Sequence, residues 1–259
     1  MKNERKFLDV ASHAFIEATN GLLDLYHEQP AKITLTEEFS KIVLNVYQNF
    51  MLDVLPSSQC LVDKKNFFSF AILCRSSLDI IIQILWILSL EEDEKLKAIE
   101  YFLNFEGVDV GQNGKKIYEW QRVFRPTYSS KKTAMELGID KECIILPLTQ
   151  HKNKELKLTV FDYLSKITHW NPRLLNDLVG CNSEKHLGNA VEHTRMAAIS
   201  VETFIFCAIT FTEIFLKLCL KVDEESVNQK TSKIKEKFRG AFAPFYNDIE
   251  QETEVVIEV

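Results

Sequence analysis

An all-α, multi-helix bundle with peripheral short helices is the fold class that this sequence predicts. Glycine and proline are scarce, 8 and 6 in 259 residues, whereas strand-rich chains need many turns built from them. Apolar residues recur at steps of three and four through most of the chain, the period of a helix buried on one side. Strand signals are confined to two short runs, 143–148 and 255–259.

The elements follow in order. Residues 3–29 read as a first helix, with Phe7, Val10, Ala14, Leu22, Leu25 and Tyr26 on one side and Pro30 as its stop. Thr36 is the expected N-cap of a second helix, followed by Glu37 and Glu38 where the helix dipole favours acid. Phe39, Ile42, Val43, Val46, Phe50 and Val54 form its buried stripe, and Pro56 with two serines is expected to end it. A third helix, 61–89, is apolar on most faces, which marks the centre of a bundle. Glu91, Glu92, Asp93 and Glu94 open a fourth helix that reaches about Phe105. The acids suit a first turn, so no metal cluster is read there.

Residues 106–151 are an irregular middle with short helices expected near 115–123 and 131–137. Trp120, Arg122, Arg125, Lys131 and Lys132 make it the most basic neighbourhood of the first half, read as a solvated connector. A helix over 153–169 carries Leu156, Val160, Phe161, Leu164 and Ile167, and Pro172 closes it. A short helix over 173–183, a long one over 184–221, a charged one over 224–239 and an acidic tail after Asn247 complete the chain. The tail is expected to be peripheral. The whole reads as one domain over 1–259, with a core at about 36–221, an N-terminal helix in 1–30, and a C-terminal helix and tail in 222–259.

Charge and motifs exclude more than they assign. The net charge is −6, against the basic excess usual for phosphate-backbone binding, so RNA is not favoured as a partner. The six cysteines form no CxxC pair, which predicts reduced, buried thiols in a cytoplasmic protein. The start, MKNERKFLDV, lacks the apolar run of a secretory signal. Segments 67–90 and 199–220 are long and apolar, but Arg75, Asp79, Glu202, Glu213 and Lys217 interrupt them. They are therefore expected to be core helices, with no membrane partner. The phosphate-binding G-x-x-x-x-G-K-[ST], H-E-x-x-H, G-x-S-x-G and paired Glu-x-x-His are all absent. No metal and no cofactor is expected.

What remains is a pair of polar spacings. Arg75 and Asp79 are four apart on the most apolar helix, and Ser165 and His169 are four apart beside Trp170. A charge in an apolar helix needs compensation, so the two helices are expected to meet through these four residues. Such a cluster either fixes helix register or supplies an anion clamp (Arg75) and a general base or ligand contact (His169). The register role is the preferred reading. A weaker cluster, Glu192, His193, Thr194 and Arg195 with His186, is read as solvent-exposed.

The order Arg75, Asp79, Trp86 in one long apolar helix, then an acidic helix, then Tyr163-Leu164-Ser165 and His169, resembles a family of uncharacterised bacterial all-helical proteins related to the HEPN (higher eukaryote and prokaryote nucleotide-binding) superfamily. The resemblance covers about residues 40–220. It implies an all-α bundle and, for the superfamily, frequent roles in defence and toxin–antitoxin systems. Asp79 stands where such members typically carry Glu. Many HEPN proteins are metal-independent ribonucleases with Arg, four to six residues, then His; no arginine here has a His at that distance. The expected function is thus a non-enzymatic helical module of a prokaryotic defence or toxin–antitoxin system that binds a protein partner, a second copy of itself or a small ligand. A divergent HEPN-type ribonuclease acting through Arg75 and His169 is the alternative. The expected binding residues are Arg75, Asp79, Tyr163, Ser165 and His169.

Overall fold

A computed structural model describes residues 2–30, 33–103, 108–110, 116–118, 130–136, 142–147, 155–169 and 187–255; side chains are described within 8–30, 33–100, 133–136, 159–169 and 197–243. The chain is an all-α bundle whose described helices are α1 (Lys2–His27), α2 (Glu38–Asn49), α3 (Leu55–Asp63), α4 (Phe67–Ser89), α5 (Glu92–Leu103), α6 (Ser130–Glu136), α7 (Val160–Thr168), α8 (Leu187–Cys219) and α9 (Glu224–Val255). Two antiparallel hairpins are appended, β1 (Val108–Val110) with β2 (Lys116–Tyr118), and β3 (Glu142–Pro147) with β4 (Glu155–Thr159). Among the described residues no sheet exceeds two strands.

Helix α8 is the axis of the bundle. It packs against α1, α2, α4, α7 and α9, because apolar residues occupy most of its circumference. Phe204, Phe211 and Phe215 of α8 are almost fully buried. Phe15 of α1 lies 5.8 Å from Phe204 and 5.6 Å from Phe70 of α4, ring centre to ring centre. Tyr47 of α2 stacks on Phe215 at 4.1 Å. Its hydroxyl donates to Thr212 Oγ1 at 3.2 Å, which gives the buried phenol a polar partner.

Several boundaries differ from those the sequence predicts. The N-cap of α2 is Glu37 and not Thr36; the Ser40 hydroxyl donates back to Glu37 Oε2 at 3.0 Å. Pro56 does not end the helix. A π-helical turn, Phe50–Val54, joins α2 to α3, and Pro56 sits in the first turn of α3. In a regular α-helix the proline ring would meet the carbonyl of Leu52; the wider turn just before it carries the chain past that clash, with the Leu55 N–H donating to the Phe50 carbonyl.

The predicted helix 61–89 is two helices. Lys65 has φ 58, and the N–H groups of Lys65 and Asn66 donate to the carbonyls of Val62 and Leu61 at 3.0 and 2.8 Å. That is a Schellman ending in which Lys replaces the usual Gly. Asn66 then caps α4 by accepting from the Ser69 N–H at 3.3 Å.

The predicted helix 153–169 begins as a strand. Leu156 and Leu158 alternate with polar residues, the period of β4. Thr159, extended at φ −83 and ψ 165, accepts from the Asp162 N–H at 3.2 Å and starts α7. Residues 116–118 of the expected helix 115–123 are strand β2, whereas α6 falls on the expected 131–137 and β3 on the expected 143–148. The expected tail is helical as far as Val255. The short helix over 173–183, Pro172 and the strand signal after Val255 lie outside the described residues.

Candidate functional site

The site is built where α7 lies across α4. Helix α7 exposes one edge and buries Val160, Phe161, Tyr163, Leu164 and Ile167. That leaves Ser165 as the polar residue one turn after Phe161. Arg75 projects from α4 onto this face. Its Nε donates to Ser165 Oγ at 3.0 Å, and its guanidinium carbon lies 3.8 Å from the centre of the Phe161 ring. Its Nη1 forms an ion pair with Asp79 Oδ2, one turn along α4. The Arg75 side chain is 14% exposed and that of Asp79 38%. Asp79 is therefore less buried than expected, at the rim and not inside the core. The pair is incompletely satisfied: Arg75 Nη1 is not aligned to donate a hydrogen bond, and Asp79 Oδ1 is shut off from solvent with no partner.

His169 does not join this cluster. It is the residue after α7, with a C-cap backbone at φ −88 and ψ 13. Its N–H donates to the Ser165 carbonyl at 2.9 Å, and its imidazole is exposed and is not among the hydrogen-bond or ion-pair partners of Arg75 and Asp79. Its backbone keeps the helical spacing from Ser165, but its ring turns to solvent. Tyr163 is buried, and burial pushes its hydroxyl above the ordinary phenol range. Trp86 is buried on α4. Phe161 is the contact that sequence reasoning missed. The apolar stripe predicts only a core role for it, although its spacing of four from Ser165 places both on the strip that Arg75 meets.

Chemically, Arg75 here ties two helices. A planar guanidinium stacks on an aromatic ring while its edge donates hydrogen bonds, and this one does both. Among the described residues no three His, Cys, Asp or Glu side chains converge as metal ligands. Cys74, Cys207 and Cys219 are buried, as expected, and burial pushes Cys207 up to about 12 and Cys219 up to about 11. Cys60 is exposed, contrary to the expectation of buried thiols, because α3 turns it outward. The loop bearing Trp120, Arg122 and Arg125 and residue His186 lie outside the described residues, and of His193 and its neighbours only the helical backbone is described.

Among the described residues two helices are long and apolar enough to cross a membrane, Phe67–Ser89 and Ala197–Cys219; 50% and 61% of their apolar windows are buried inside the protein. Comparison with family models, curated proteins and solved structures finds no match to this chain.

Proposed function

We propose that the chain is a non-enzymatic helical interaction module of HEPN-related type, cytoplasmic, engaging a protein partner in a prokaryotic defence or toxin–antitoxin setting. The observation that carries this reading is the commitment of Arg75 to Ser165, Phe161 and Asp79. A guanidinium held this way is engaged at Nε and Nη1 and covered on one face by a ring, and the nearby carboxylate repels a phosphate. A hydrolytic pair must also converge on one reacting group, and His169 stands apart from Arg75. The two apolar helices are taken as bundle helices, since each buries half or more of its apolar window against its neighbours.

A divergent HEPN-type ribonuclease is the second reading. It is favoured by the solvent access of His169, one turn from Ser165. The deciding experiment incubates the purified chain with end-labelled single-stranded and hairpin RNA, with and without a divalent metal. No cleavage above a protein-free control is expected. Cleavage that vanishes in a folded His169→Ala variant overturns the module reading.

A further inference from the structure

Helices α1 and α9 enclose a surface groove of about 400 Å3. They run antiparallel, because Gly21 of α1 meets Ile234 of α9, and Glu28 further along α1 pairs with Lys230 further back on α9 at 3.8 Å. A Cβ on residue 21 would lie 3.1 Å from Ile234 Cγ1, so the missing side chain lets the helices approach at the groove floor. The two walls carry opposite charge. Glu17, Asp24 and Glu28 line one, and Lys230, Lys233 and Lys237 the other. Residue 17 is level with 237, and 24 lies between 233 and 230. Only Glu28 and Lys230 close into an ion pair. Among the described residues Glu17, Asp24, Lys233 and Lys237 have no ion-pair partner; Glu17 is half-buried and the other three are exposed.

We propose that this groove is the face on which a second copy of the chain docks, about a two-fold axis running along the groove. The argument is geometric. Rotation about that axis leaves height along the helices unchanged and exchanges left for right. It therefore sets the acidic wall of one copy on the basic wall of the other, at matching levels. A two-fold axis across the helices would instead set acid on acid and base on base. Opposed charge patterns of this kind fix register and suppress other orientations, and a two-fold contact uses the same patch on both copies. The strip is about 17 Å long and two helix widths across, well under the roughly 800 Å2 per partner of a standard stable interface. The association is therefore weak and sensitive to salt. This inference names the partner for the interaction module proposed above and rests on that reading.

Sedimentation equilibrium of the full chain tests it. At low ionic strength the mean mass should climb from 30.0 kDa toward twice that value as concentration rises. At about 1 M salt, where charges are screened within about 3 Å, it should return to the monomer. The Glu17→Lys/Asp24→Lys variant and the Lys233→Glu/Lys237→Glu variant should each be monomeric, since each makes both walls alike. Their equimolar mixture should dimerise again. The neutral pair Lys233→Gln/Lys237→Gln, also monomeric by expectation, serves if a reversal fails to fold by circular dichroism. A wild type that stays monomeric, a dimer that the variants leave intact, or a mixture that does not associate overturns the proposal. A monomeric wild type without RNA cleavage removes this partner and leaves the module reading standing. RNA cleavage dependent on His169 removes the module reading whatever the mass.

Discussion

Replacing Arg75 with alanine removes three contacts together, and each has a size. The hydrogen bond from Nε to Ser165 Oγ has a charged donor and is worth about 1.5–3 kcal/mol. Stacking on Phe161 at 3.8 Å contributes about 0.5–2 kcal/mol, towards the upper part because the side chain is mostly buried. The ion pair is discounted: Asp79 is 38% exposed, and pairs open to solvent contribute about 0–1 kcal/mol. The sum is a loss of about 4 kcal/mol, or a fall in Tm of about 8–16 °C for a chain of this size. Arg75→Lys keeps the charge beside Asp79 but loses Nε and the planar stack, so it should recover less than half of the loss. Urea denaturation followed by far-UV circular dichroism measures both. Arg75→Ala within about 0.5 kcal/mol of wild type, the range of an ordinary surface change, refutes the reasoning.

Further outcomes follow from single contacts. His169→Ala should leave stability within about 0.5 kcal/mol of wild type in the same titration, because the imidazole is exposed. Phe242→Ala should cost about 3–5 kcal/mol, since Phe242 is 1% exposed and stacks on Phe238 at 5.3 Å; removal of 248–259 should leave cooperative unfolding intact, as both rings remain. Stability should fall in alkali. Cys207 is raised from 9.0 to about 12 and Cys219 from 9.0 to about 11, with Cys74, Tyr47 and Tyr163 also raised by burial. The unfolded chain then releases protons that the folded one keeps, so the stabilisation is whole below the unfolded thiol value and is lost as pH climbs from there through the folded values. A Tm that holds steady from neutral pH to about 11 contradicts this. In a native thiol-labelling time course mapped by mass spectrometry, Cys60 should react at once, and Cys74, Cys207 and Cys219 only on unfolding.

The helices that sequence made legible are those whose signals are local. Four acids at 91–94 marked the start of α5, and steps of three and four along 184–221 marked α8. What stayed hidden depends on context. Lys65 adopts a left-handed backbone where Gly is the usual cue, so two helices read as one. Pro56 reads as a stop unless the π turn before it is known. The run 155–159 fits a helical stripe through Leu156 until its pairing with β3 shows the alternation that matters. The Arg75, Asp79 and Ser165 contacts followed from spacing and from the cost of a charge in an apolar helix. His169 did not, because spacing fixes where its backbone lies and not where its ring turns. Phe161 did not, because an aromatic on an apolar face gives no sign that a guanidinium will lie on it.

The measurement that bears most directly on the central claim, that Arg75 is committed to holding α7 on α4, is a double-mutant cycle between Arg75→Ala and Ser165→Ala. The 3.0 Å bond from Nε to Oγ predicts a coupling of about 1–2 kcal/mol, with the double variant losing less than the two single variants added together. Losses that add to within about 0.3 kcal/mol would mean that the two side chains do not act on one another, and that Arg75 is free for a ligand.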